Sequence, residues 1–260
     1  MNSKILRFPG MLWICLLLSA SGLAQEREYY QLKTYTLKNE NQEKIVDSYL
    51  KDAYLPALQR MGISEVGVFK VRPDKFTLSN KIVVLIPFSS LEAFEKLDSM
   101  LALDKTYIAA GATYLNATHE NPAFERISSL LMRAFPDMPK MEASTIEGKR
   151  SDRVYELRSY EGPTEAMYRR KVNMFNEGGE IELFENLGFN AVFYADVISG
   201  DKMPNLMYMT TFPDMETRNK LWKDFVDSEK WKEISVMDIY LNTVSHADIY
   251  LLYPTEYSSY

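Results

Sequence analysis

The heptad Tyr29–Tyr35, YYQLKTY, returns almost unchanged as Val154–Tyr160, VYELRSY. Each alternates with the period of two that marks a β-strand. Tyr30, Leu32 and Thr34 oppose Gln31, Lys33 and Tyr35 in the first, and Tyr155, Leu157 and Ser159 oppose Glu156, Arg158 and Tyr160 in the second. The similarity stays in step downstream. LPALQRMGISEVGVF meets IELFENLGFNAVFY with Gly62 against Gly188, PDKFTLSNKIVVLIPF meets SGDKMPNLMYMTTF, FSSLEAFEKL meets FPDMETRNKLW, and SLLMRAFP meets DIYLLYP. Agreement of this extent marks an internal repeat, which sets the architecture before any single element does.

Each copy predicts the same order of elements. A strand leads into a helix, capped by Thr164 in the second copy and stopped by Gly62 or Gly188. Two strands follow as a hairpin, turning at Pro73-Asp74 or Gly200-Asp201. A second helix opens at Ser89-x-x-Glu92 or at Asp214, with Leu91, Phe94, Leu97 and Leu101 on one face. A last strand closes the unit, giving β-α-β-β-α-β, the ferredoxin-like plan of an α+β fold. Such a unit covers one face of its sheet with helices and leaves the other bare. Two copies packed sheet-to-sheet as a pseudo-dimer supply each other's missing layer. The expected blocks are a leader at 1–24, a first repeat at 25–136, a polar linker at 137–152 and a second repeat at 153–260.

The leader reads as a cleaved secretory signal. Lys4 and Arg7 precede the apolar run MLWICLLLSA, and Gly22 and Ala24 are the small residues before a cut ahead of Gln25. The run is shorter than the roughly 20 residues of a spanning helix. Cleavage would place the protein in the periplasm or outside the cell, with no membrane attachment. It would also remove Cys15, the single cysteine of the chain, so the mature protein is expected to rely on its core and not on disulfides. The formal charge of −6 becomes more negative without Lys4 and Arg7, which argues against nucleic acid as a partner.

VYELRSY, MFNEGGEIELFENLGF, MPNLMYMTTFPDMETR and DSEKW together resemble the NIPSNAP family. LNATHENPAFERISSLLMRAFPDMP resembles the first copy in exported tandem members of that family. The resemblance implies the dimeric α+β barrel fold. It transfers no reaction, and the wider superfamily's cofactor-independent monooxygenases and haem-handling proteins are an analogy of fold alone.

The candidate site follows from strand alternation. If Leu157 faces the helices, Glu156, Arg158 and Tyr160 face the barrel interior, with Gln31, Lys33 and Tyr35 in the equivalent places of the first copy. Two readings compete: a polar pocket for an anionic or hydroxylated small molecule, or an ion-pair lattice that fixes the packing, and the second is the more economical. Arg218 stands where the first copy has Phe94, on the apolar face of its helix. It is expected either to reach the barrel mouth and hold a carboxylate or phosphate, or to lie along the core with its head on an acid. Gly178-Gly179 interrupts a helical segment at a propensity cost of about 2 kcal/mol. Glu177, Glu180, Glu182 and Glu185 spread around that helix and read as its solvated face. No metal is expected, because two histidines and no His-x-x-x-His or His-Glu-x-x-His pattern leave no zinc set. No cofactor is expected either. His119 lies in the loop NATHENP, a poor place for a haem ligand, and His246 precedes the last strand, from which it could point either way. Trp222 and Trp231 occur only in the second copy, so a retained pocket is expected there. The leading function is a binder of a small organic molecule in the barrel interior. The alternatives are a cofactor-independent monooxygenase or isomerase, and a structural module with a filled barrel. Open sheet edges are expected to allow homo-oligomers.

Overall fold

The computed structural model describes residues 26–73 and 80–260. The leader therefore lies outside the described residues, as does most of the Pro73-Asp74 turn. The first repeat runs β1 (Tyr29–Thr36), α1 (Glu40–Tyr49), a π-helical turn at Leu50–Tyr54, α2 (Leu55–Arg60), β2 (Gly67–Val71), β3 (Lys81–Phe88), α3 (Leu91–Leu103), α4 (Lys105–Ala110), α5 (Ala112–Leu115) and β4 (Arg126–Ala134). The second runs β5 (Val154–Glu161), α6 (Glu165–Phe175), α7 (Glu180–Asn186), β6 (Asn190–Ser199), β7 (Asn205–Phe212), α8 (Met215–Asp227), α9 (Glu229–Ile234) and β8 (His246–Pro254).

The capping chemistry follows the sequence closely. The side chains of Thr164 and Asp214 accept from the N–H of Met167 and Thr217. In the first repeat the cap of α3 is Ser90, which accepts from Ala93, and not Ser89. Gly62 and Gly188 sit at φ +84° and +85° where their helices stop, the left-handed conformation that glycine adopts without a Cβ penalty. On α3, Leu97 and Leu101 are buried and Phe94 packs against their cluster, but Leu91 is exposed.

All pairings are antiparallel, and the strands close into an eight-stranded barrel in the order β1-β3-β2-β8-β5-β7-β6-β4. Each repeat contributes a four-stranded sheet, β4-β1-β3-β2 or β8-β5-β7-β6. The two are sewn together by β2 against β8 (Phe69 opposite Pro254) and by β4 against β6 (Arg133 opposite Asp196). The two bare faces thus meet as expected, but as a hydrogen-bonded cylinder. Closure also uses the strand edges expected to remain free for homo-oligomers, which removes that route to association.

Three cores result. The barrel interior takes residues from all eight strands, among them Tyr30, Leu32, Phe69, Leu85, Met132, Tyr155, Leu157, Phe193, Met209 and Leu252, together with the C-terminal Tyr260. Outside it, one cluster lies under α1–α4 and another under α6–α9. No helix of the described residues is long and apolar enough to cross a membrane.

Candidate functional site

The placement of Leu157 in the interior cluster reverses the expected facing of β5. Tyr155, Leu157 and Ser159 point into the barrel, and Glu156, Arg158 and Tyr160 point outward, under the helices of the second repeat. Alternation places neighbours on opposite faces but does not say which face is which. Here the larger apolar residues of β5 were needed at the barrel centre, and the polar partners were available on α8.

Arg218 is one of those partners. It projects from the first turns of α8 onto β5, not into the barrel mouth. Its Nε donates to Glu156 Oε2 at 2.7 Å and its Nη2 to Oε1 at 2.9 Å. Trp222, one turn further along the same helix face, donates its indole N–H to Oε2 at 2.8 Å. From the strand itself, Arg158 Nε donates to Glu156 Oε1 at 2.7 Å and Nη1 to the Tyr160 hydroxyl at 2.8 Å. The Arg158 guanidinium also lies over the Trp222 ring, 3.6 Å from its centre. Tyr160 continues to the Tyr208 hydroxyl at 3.0 Å. Burial of the Glu156 carboxyl works to raise its pKa, but hydrogen bonds and charge from Arg218 and Arg158 outweigh burial and hold it below the usual carboxylate value.

The cluster forms one wall of a cleft of about 520 Å³ between the β5/β8 side of the sheet and α6–α9. Phe225, Trp231 and Ile249 supply apolar surface, and a second ion pair completes the lining. In that pair Lys171 Nζ donates to Glu180 Oε2 at 2.7 Å, with both side chains buried. Lys171 lies over the rings of Phe175 at 4.7 Å, Trp231 at 5.7 Å and Tyr160 at 5.9 Å.

Lys171 and Glu180 were not read as site residues. Glu177, Glu182 and Glu185 are exposed as expected, but Glu180 is 2% exposed. The reason is the glycine pair, which separates α6 from α7 and does not lie within one helix. A Cβ on Gly178 would come within 2.6 Å of the Met174 carbonyl oxygen, and Gly179 takes φ +84°. The chain leaves the helix there, and Glu180 in the first turn of α7 comes within reach of Lys171 on α6. The available signal was Lys171 itself, spaced i, i+3 and i+4 from Met174 and Phe175 on the buried face of α6.

The first repeat does not join this site. Gln31, Lys33 and Tyr35 occupy the equivalent outward face of β1, under the other helical layer. Gln31 Nε2 donates to Ser129 at 2.8 Å, and Lys33 Nζ reaches the Tyr54 hydroxyl at 3.4 Å. Burial lowers the Lys33 pKa, partly offset by the charge of Asp98. Where the second repeat has its cleft, the first is packed with aromatics. Tyr49 stacks on Tyr114 at 3.7 Å and bonds the Tyr107 hydroxyl at 2.8 Å, and Phe94 packs edge-on against Phe88 in the place of Arg218.

The barrel centre is filled, leaving a recess of about 240 Å³ at one mouth. On its rim, ligating atoms of Glu161, His246 and Asp248 lie within 4.8 Å of one another. Lys202 already bridges them, 2.5 Å from Asp248 and 3.7 Å from Glu161, so the group is an ion-pair network. His246 is exposed there and 3.2 Å from Asp248, and His119 is exposed in its loop.

Residues 155–259 match the NIPSNAP family model. A putative monooxygenase from Lactobacillus acidophilus NCFM is similar in structure at 9% identity, covering 88% of this chain and 94% of its own, with a TM-score of 0.55. An anthrone oxidase-like protein is similar at 13% identity over 89% of this chain and 93% of its own, with a TM-score of 0.51. A NIPSNAP family protein from Agrobacterium tumefaciens str. C58, 17% identical, covers 45% of this chain and 97% of its own at a TM-score of 0.37. No curated protein matches in sequence. At these identities the first two likenesses speak for the fold alone, a dimeric α+β barrel made here from one chain. The likeness to the NIPSNAP family is therefore carried by residues 155–259, the second repeat.

Proposed function

We propose that this protein binds a small organic anion with an apolar body, held in the cleft between the sheet and the helices of its second repeat. The observation that carries this reading is a count of charges. Two guanidiniums, Arg158 and Arg218, share the single carboxylate of Glu156. Lys171 and Glu180 cancel each other. One net positive charge therefore remains on the wall of an otherwise apolar cleft, where low dielectric strengthens its pull on an anion.

Hydrogen bonding agrees with the charge. Glu156 is saturated by Arg158, Arg218 and Trp222. A guanidinium carries five N–H groups, and each of these two still has donors to offer a carboxylate in forked geometry. The ligand was expected inside the barrel, but Tyr30, Phe69, Tyr155, Phe193 and Tyr260 fill that space.

A purely structural module would share the Glu156–Arg158 pair and the filled barrel, yet it has no use for a surplus cation beside exposed Val226, Val244 and Ile249. Export is part of the proposal and rests on the leader, Met1 to Ala24, alone.

Calorimetric titration with benzoate and with benzamide tests the reading. The two share a ring and differ in charge. Saturable benzoate binding is expected, with benzamide silent and the signal lost in Arg218→Met. If no aryl or alkyl carboxylate binds at millimolar concentration, the cleft is structural. Oxygen uptake in the presence of a bound acid would favour the oxygenase alternative over a binder.

A further inference from the structure

The cleft has a second polar end, and its distance from the first carries information about the ligand. Arg158 donates to the Tyr160 hydroxyl at 2.8 Å, and Lys171 Nζ lies 5.9 Å from the centre of the same ring. The two charged centres thus flank the same aromatic side chain, Arg158 at its hydroxyl and Lys171 over its ring face. The wall that joins them on the other side is also aromatic. Trp222 stands 5.5 Å from Phe225, which stands 4.5 Å from Trp231, and Trp231 lies 5.7 Å from Lys171.

The far end is not closed chemically. Glu180 gives Oε2 to Lys171, and among the described residues its Oε1 takes no hydrogen bond. Glu180 nevertheless lines the cleft, with its side chain 3% exposed, and Oε1 is not among the fully enclosed atoms left without a partner. Lys171 uses one N–H on Glu180 and a second on Met174 Sδ at 3.3 Å. An ammonium has three. The far end therefore presents one carboxylate acceptor and one ammonium donor. A buried ion pair adds little to stability over apolar residues of the same size, so stability alone does not account for a pair at this place.

We infer that the ligand is a single-ring aryl carboxylate bearing a hydroxyl group at the far end of the ring. Its carboxylate lies on Arg158 and Arg218, its ring lies against Trp222, Phe225 and Trp231, and its hydroxyl donates to Glu180 Oε1. This inference rests on the anion-binding reading of the same cleft and adds to it the ring, the hydroxyl and its partner.

The test is calorimetry on the wild-type protein with three probes: benzoate, 4-hydroxybenzoate and cyclohexanecarboxylate. 4-Hydroxybenzoate should bind at least fivefold more tightly than benzoate, and cyclohexanecarboxylate more weakly than either. In Glu180→Gln the advantage of the hydroxyl should fall to twofold or less, while benzoate, with Lys171 no longer cancelled, should bind at least as tightly as it does to the wild type. Benzoate binding with no gain from the hydroxyl overturns the inference and leaves the anion site standing. Equal binding of cyclohexanecarboxylate and 4-hydroxybenzoate also overturns it. Silence from all three probes removes the anion site and the inference with it. The wild-type comparison stands even if Glu180→Gln does not fold.

Discussion

Replacing Glu156 by glutamine should weaken the fold and strengthen anion binding at once. The side chain is fully buried, with Arg158 and Arg218 only 12% and 20% exposed beside it. Glutamine keeps the shape but removes the charge, leaving two guanidiniums with no counter-ion. It also puts an NH2 group where one carboxylate oxygen accepted hydrogen bonds, so a donor then faces a donor. Removing one partner of a buried ion pair typically costs about 3–5 kcal/mol. The arginines retain some solvent, which puts this case near the lower end, about 3 kcal/mol. For a chain of this size a loss of 1 kcal/mol shifts Tm by roughly 2–4 °C, so a fall of about 10 °C is expected in a thermal scan. The same change raises the net charge of the cleft wall from one to two, so benzoate should bind several-fold more tightly at a temperature where both proteins are folded. Denaturant titration and calorimetry on the two proteins measure both quantities. A stability loss below about 1 kcal/mol, or weaker benzoate binding in a folded variant, would refute the account of two cations sharing one carboxylate.

Three other outcomes follow from the same geometry. Because the folded Glu156 carboxyl lies below its ordinary value, its contribution is complete above the unfolded carboxyl pKa of about 4.3 and is lost as pH falls through the lower folded value. The stability gap between wild type and Glu156→Gln should then be flat above about pH 5 and shrink below about pH 4 in acid denaturation curves. Tyr260→Ala removes a 3%-exposed ring packed on Phe69 and Tyr155 at the barrel end, and should cost about 3–5 kcal/mol by denaturant titration, with anion affinity unchanged. Gly188→Ala meets no atom within 4 Å, so its effect is the backbone strain of φ +85° alone, about 1–2 kcal/mol in the same assay.

The candidate site was only half legible. Arg218, Arg158, Glu156 and Tyr160 were singled out from residues alone and do meet in one cluster. The signal was a charged residue standing where the other copy has Phe94. Gln31, Lys33 and Tyr35 were singled out by the same symmetry and do not join them, because the aromatics of α1, α4 and α5 fill the first repeat's equivalent space. Lys171 and Glu180 escaped notice. Their pairing depends on how sharply the chain turns at Gly178-Gly179, and an acidic residue in a run of acids looks solvated until that turn is known.

The residues by themselves determined the repeat, the order of elements and most of the caps. These depend on interactions within a few positions and on periodicity, which the chain carries wherever it folds. The stacking of the two bare faces was determined as well, since an uncovered apolar sheet face must find a partner. Only the tertiary structure decided which face of β5 looked inward. Arg158 shares a face with Glu156 whichever way β5 turns, so the side was decided by the second counter-charge, Arg218, which lies 62 residues away on a helix. Its availability depends on how α8 docks across the sheet, a packing outcome that no local pattern encodes. The closed barrel was decided in the same way. Registers such as Phe69 against Pro254 exist only once both sheets have twisted far enough for their edge strands to meet.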